Sequence, residues 1–204
     1  KHTGDEDQPR VDFVNVSDLP VEAEGRVLDQ LSSHADHFDI IIVSDQAETE
    51  RGGVVTTAVR DLVVDIARNR RKLVWVDSRM RLELFRNVVL KPNRLEAEDG
   101  CRRLLGDVDF ARMFQELQLQ LLIVTEGAAG ARVIHSAGED FVPGRQVKAV
   151  DICGAGDSFT AGAACALAIT GSATEAARFG NLVASITVTK RGTGTASPQE
   201  LRAL

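Results

Sequence analysis

The sequence predicts an α/β protein with a largely parallel sheet, and three observations carry that reading. Four short runs, FDIIIVS (38–44), KLVWVDS (72–78), NVVLKPN (87–93) and LQLLIVTEG (119–127), are apolar with little alternation. Strands of that composition are covered on both faces, as in parallel sheets flanked by helices. Between them lie stretches of helical periodicity, 54–69 and 94–105 among them, and strands alternating with helices build such a sheet. After Gly127 the pieces shorten to ARVIHS and EDFVPG with a Gly between them, which predicts a hairpin over 131–142.

Two helices follow in the prediction. The first, about Asp157 to Ile169, is rich in Ala, Gly and Cys and should pack closely on its neighbours. The second opens at SATE, where Ser172 and Glu175 have capping-box spacing, and continues to about Val188. Near the end, SPQE offers Ser197 as cap, Pro198 at the first helical position and Glu200 at the third.

A chain of 204 residues, 44% hydrophobic and 26% charged, has the composition of a soluble globular protein, with one large domain as the default. It opens on Lys1 and a polar decapeptide, KHTGDEDQPR, so a piece of a longer protein is expected. A net charge of -6 argues against a general electrostatic footprint for nucleic acid and toward small-molecule chemistry. Cys101, Cys153 and Cys165 form no CxxC pair; they suggest neither a disulfide framework nor a zinc site, and fit a reducing cytoplasm. No apolar run reaches the roughly 18 residues of a membrane span, so no membrane partner and a cytoplasmic location are expected.

In sheets of this kind ligands bind beyond the carboxyl ends of the strands. The informative loops are therefore SDQAETERGG, DSRMR, PNRLEAE, TEGAAG and DICGAGD. In the last, glycines at 154 and 156 let backbone approach a ligand, and N–H groups at a helix start form an anion site. Asp157 in that turn can take a proton from a hydroxyl placed beside the anion. Hydroxyl, base and anion cradle together describe phosphoryl transfer. The plain alternative is an Asp that merely favours the first turn of a helix. Phe159 at the third glycine position argues against a dinucleotide GxGxxG, and no GxxxxGK motif is present.

DICGAGDSFTAG (151–162) resembles the C-terminal signature of the PfkB, or ribokinase-like, carbohydrate kinases, and Asn93-Arg94-Leu95-Glu96 resembles that family's Asn-x-x-Glu motif. The resemblance implies a three-layer α/β/α fold of which residues 1–204 are the C-terminal portion of a single kinase domain, the family's N-terminal strands and lid being absent from the chain. It further implies an ATP-dependent sugar kinase. Asp157 would be the base, and Gly154, Ala155 and Gly156 would stabilise the transferring phosphoryl group. Asn93 and Glu96 would position Mg²⁺ and phosphates through water. Thr125 and Gly127 resemble the family's Thr-x-Gly at the nucleotide phosphates, and Asn181 falls where the family places a residue beside adenine. A helix residue bonding a neighbour explains Asn181 equally well. The KRGTGT stretch (190–195) corresponds to a loop lining the nucleotide and a monovalent-cation site, or is a simple turn.

Within the family the likeness is greatest to the branch acting on D-glycero-β-D-manno-heptose 7-phosphate. DQPRVDF (7–13), the loop after Ser44, and VWVDSRMRLELFRNVVLKPNRLEAE each resemble a segment of that branch. The chain departs from it where Gln46, Ala47 and Glu48 replace Tyr-Gly-Lys, where Ser78 and Arg79 replace Pro-Lys, and where Ile152 and Cys153 replace two threonines. Arg79 is then the remaining candidate for a substrate phosphate.

His34 and His37 form HxxH without a third ligand nearby, which reads as structure rather than a metal site. RNRRK (68–72) reads as solvated surface at a helix end. The expectation is thus a kinase using ATP, Mg²⁺ and a sugar or sugar phosphate. A non-catalytic ribokinase-like protein that binds nucleotide or a partner is the alternative. The sugar, the hydroxyl and the oligomeric state, a homodimer among the options, are left open.

Overall fold

A computed structural model describes residues 13, 15–49 and 51–203; residues 7–12 of the DQPRVDF segment therefore lie outside the described residues. The elements in order are α1 (Val21–His34), β1 (Ile40–Asp45), α2 (Thr57–Asn69), β2 (Leu73–Ser78), β3 (Val89–Leu90), α3 (Arg94–Leu105), α4 (Phe110–Glu116), β4 (Leu121–Thr125), β5 (Gly130–His135), β6 (Gly138–Pro143), α5 (Ala155–Thr170), α6 (Ala173–Thr187) and α7 (Pro198–Arg202). The strands form one sheet in chain order. β1 to β4 are parallel, and β5 and β6 add an antiparallel hairpin at the β4 side.

Alternation along the buried strands explains the layers. Val74 and Val76 of β2, Leu90 of β3, and Leu122 and Val124 of β4 face a core shared with Val59, Val63 and Ile66 of α2, Cys101 of α3 and Met113 of α4, with Leu28 and Leu31 of α1 packed against it. Their neighbours Trp75, Val89, Leu121 and Ile123 point the other way, onto Phe159 and Ala163 of α5 and Ala176 and Ala177 of α6. Each aliphatic side chain so buried contributes about 1.5–3 kcal/mol, and both faces need apolar residues. That requirement produced the continuous apolar runs.

The α5–α6 pair is the tightest part of the second layer. A Cβ added at Gly162 would lie 2.6 Å from Val183 Cγ2, and one at Gly180 would lie 2.9 Å from the Phe159 ring. The small residues of this helix therefore let the two backbones approach, as their composition suggested.

Some elements differ from expectation. α2 starts at Thr57 rather than 54, because the Thr56 hydroxyl caps it by accepting from Val59 N at 3.3 Å. α1 and α4 were not anticipated: α1 has no fully buried residue, and α4 has seven residues, too few for a clear period. RNRRK is more than solvated surface. Arg70 Nη1 donates to Ser32 O at 2.8 Å and Lys72 Nζ to Asp36 O and Phe38 O, both at 3.1 Å, so these cations hold a carbonyl in the last turn of α1 and two in the segment that follows it. His34 uses Nδ1 on Gln30 O at 2.9 Å. Among the described residues no three His, Cys, Asp or Glu side chains gather as a metal site, and no helix is long and apolar enough to cross a membrane.

Candidate active site

The carboxyl ends of β1 to β4 place Asp45, Asp77, Lys91, Asn93 and Thr125 along one edge of the sheet, and the start of α5 lies over it. At α3 the sequence spends its polar residues on the helix itself. Asn93 Oδ1 accepts from Glu96 N at 2.9 Å, and Glu96 Oε2 accepts from Asn93 N at 2.8 Å, a complete capping box. Asn93 and Thr125 form an isolated parallel bridge, and Thr125 N donates to Pro92 O at 3.0 Å. The two loops are thereby one unit. Burial pushes the Glu96 carboxyl above the usual carboxylate range, opposed by the hydrogen bond from the Asn93 backbone.

The start of α5 is built differently. Gly154 precedes the helix at φ 77°, and no side chain caps it; an L-residue would be strained in that left-handed conformation. A Cβ there would also lie 2.7 Å from Thr193 Cγ2. Ala155 N turns back onto Ile152 O at 3.2 Å, and the N–H groups of Gly156 and Asp157 receive no capping side chain. Asp157 is the third residue of the helix and is exposed. Among the described residues no hydrogen bond or ion pair engages its carboxylate. Asp151 has the opposite fate: its carboxylate accepts from Cys153 N at 2.9 Å and from Gly192 N at 3.1 Å. Together with Val150 N and Asp151 N on Val188 O, these bonds clamp the KRGTGT loop against the turn. Cys153 Sγ lies 3.4 Å from Thr193 Oγ1, and Ile152 is 75% exposed.

The remaining sequence candidates separate by position. Gly127 (φ 58°) opens a short 3-10 turn beyond Thr125. Its neighbour Glu126 is taken by Arg132 at 2.7 Å and Arg94 at 3.5 Å. Asn181 Nδ2 donates to Val142 O and Pro143 O, both at 3.2 Å, and so ties α6 to β6. Arg79 meets Glu48 at 2.7 Å on the exposed rim. Arg81 is closed on Asp45, which also accepts from Ser78 Oγ at 2.8 Å. A cavity of about 440 Å³ lies at the other end of the strands, lined by Leu73, Val89, Gln120, His135, Asp140 and Thr174, away from all of these groups. The reading from sequence missed Lys91, whose Nζ is 2.8 Å from Asp77 Oδ2. The signal available was a lone cation closing the otherwise apolar VVLKP run in a strand-end loop.

Comparison with known proteins identifies the family and the fold. The chain is 32% identical over 201 residues to the bifunctional protein HldE of Rhodopseudomonas palustris (strain HaA2), covering 95% of this chain and 40% of that protein. It is 30% identical over 200 residues to HldE of Geobacter sulfurreducens, covering 94% and 40%. It thus spans about 40% of the length of these relatives. Among solved structures, ribokinase from Thermotoga maritima superposes with a TM-score of 0.68 at 26% identity, over 86% of this chain and 58% of that one. Phosphofructokinase-2 from Escherichia coli, in complex with potassium, gives 0.67 at 21% identity, over 86% and 60%. The fold is accordingly the ribokinase-like three-layer α/β/α fold. With residues 52–200 matching the pfkB family carbohydrate kinases, the chain belongs to the pfkB family.

Proposed function

We propose that this chain is the C-terminal portion of an ATP-dependent sugar kinase, one that transfers the γ-phosphoryl group of ATP to a hydroxyl of a sugar or sugar phosphate. The observation that carries the reading is the α5 start: an uncapped helix N-terminus with left-handed Gly154 and an unengaged Asp157 at its third position. The N–H groups there suit a phosphoryl group whose charge must be met during transfer. Asp157 takes the proton of the acceptor hydroxyl as its oxygen bonds to phosphorus and the bond to the ADP oxygen breaks. Gly154, Ala155 and Gly156 cradle the group in flight, while Asn93, Thr125 and Gly127 line the nucleotide phosphates.

Mg²⁺ would be held through water by Glu96 and Asn93. Glu96 suits that task because its capping bond uses Oε2 only, and Mg²⁺ keeps most of its hydration. When bound, the ion neutralises phosphate charge. Asn181 is proposed at the adenine end, where its amide would act from the position its bonds to Val142 O and Pro143 O define. Arg79 is the proposed contact for a substrate phosphate, which would displace exposed Glu48. The clamped KRGTGT loop is the proposed place of a monovalent cation.

A second reading, nucleotide binding without sugar phosphorylation, draws on Arg79 and Arg81, both closed on carboxylates, the first on the exposed rim and the second on buried Asp45. A coupled ADP-release screen of the full-length protein across sugars and sugar phosphates, with Asp157→Asn beside it, separates the two. The kinase reading expects turnover with one acceptor class. It also expects Asp157→Asn to lower that turnover at least about a thousandfold with ATP affinity little changed. ATP binding without ADP release from any acceptor would establish the second reading.

A further inference from the structure

Lys91 is the buried cation that this mechanism has not used. Its side chain is 5% exposed, and that of its partner Asp77 is 10% exposed. Burying such a pair has a desolvation cost that its attraction often fails to repay, and apolar residues in its place are commonly as stable. The location is equally unfavourable on structural grounds. A Cβ on Gly156 would lie 3.9 Å from Lys91 Nζ, so the ammonium stands against the first turn of α5. That turn is the positive end of a helix, where anions rather than cations are stabilising. Asp77 offsets the lysine charge, and both groups also act electrostatically on Glu96. The pair therefore shares a corner with the capping box of α3. Helix N–H groups and an ammonium converging on one point make sense together when an anion with several oxygens is to be held between them.

We infer that Lys91 is a phosphoryl-binding residue of this site: its ammonium and the N–H groups at Gly156 together hold the terminal phosphoryl group of the nucleotide, and Asp77 positions the ammonium. The inference rests on the kinase reading of the α5 turn. All three cations meet carboxylates, Arg79 on Glu48, Arg81 on Asp45 and Lys91 on Asp77, and Lys91 is distinguished by standing against the α5 turn.

The test is calorimetric titration of the 204-residue chain with ADP and with the non-hydrolysable β,γ-imido analogue of ATP, both with Mg²⁺. Wild type is compared with Lys91→Met and with the double variant Lys91→Met/Asp77→Asn. The double variant removes both buried charges, so it keeps the fold where the single variant would strand Asp77. Loss of one charge-assisted contact should weaken the analogue roughly tenfold to a hundredfold and change ADP affinity less than about twofold. Equal losses for both ligands, or an unchanged ratio in the folded double variant, would make Lys91 a structural ion-pair partner and overturn the inference alone. Wild type that binds neither ligand would overturn the nucleotide reading of the turn, and the role of Lys91 with it.

Discussion

Two helices begin on the same edge of the sheet, and they treat their unsatisfied N–H groups in opposite ways. α3 closes its start with a reciprocal capping box, Asn93 to Glu96. α5 has a left-handed glycine and no cap. A helix that omits its cap forgoes about 1 kcal/mol, and it retains donors that can meet an external anion. The contrast teaches that the polar residues of one motif are read as structure first and chemistry second, whereas those of the other have little structural work to do. Asp151 and Asp157 repeat the lesson within one turn, the first fully bonded to backbone N–H groups and the second unengaged.

The largest expected effect after Asp157→Asn comes from closing the open turn. Gly154→Val would place a branched side chain at φ 77° against Thr193. The left-handed conformation alone should lower stability by about 1–3 kcal/mol. Nucleotide affinity should fall as well, because the KRGTGT loop must move. Thermal unfolding together with ATP titration checks both, and a variant with wild-type affinity would show that the turn does not need its glycine.

Asn93→Ala is the matching change at α3. It removes the side-chain half of the capping box and should lower stability by about 1 kcal/mol, measured by urea unfolding. Asn93→Asp, which can still cap, should recover most of that loss. Failure of the rescue would mean that the amide at 93 matters to stability for a reason other than capping.

The smallest effect concerns a second complete box, at α7. Glu200 accepts from Lys190 Nζ at 2.9 Å and from Ser197 N at 2.8 Å, and these contacts, the lysine foremost, hold its carboxyl down to about 2 from an ordinary 4.5. A depressed carboxyl contributes stability that is present above its unfolded value and lost as pH falls through the folded one. Wild type should therefore exceed Glu200→Gln in stability at neutral pH, and the difference should close as pH falls from about 4.5 toward 2. A difference that persists at pH 2 would assign the effect to α7 packing instead.

Much of this was legible in the residues. Val74, Val76 and Trp75 are apolar in succession because the sheet is covered on both faces, and that alone implied helices on each side. α3 runs from Arg94 to Leu105 as its pattern implied, with Gly106 at φ 77° closing it. The open turn was legible too, since Gly-Ala-Gly-Asp leaves no side chain to cap a helix except the carboxylate that chemistry wants. α1 escaped notice although Val27, Leu28 and Leu31 recur at helical spacing and pack on the core; none of its residues is fully buried. The roles of Arg70 and Lys72 depended on where the end of α1 fell.

By itself, then, the sequence determined which segments are strands, most of the helices that flank them (α1 and α4 excepted), and which turn has glycines in place of a capping side chain, because these follow from local periodicity and from the conformations glycine allows. Tertiary structure alone decided which charges are available. Arg79, Arg81 and Lys91 look alike along the chain and each meets a carboxylate, yet Arg79 does so on the exposed rim, Arg81 on buried Asp45, and Lys91 on Asp77 beneath Gly156. The difference arises from strand register, which sets β2 beside β3 and places Lys91 against Asp77 under the start of α5, and no local pattern encodes a distance between residues that far apart in the chain.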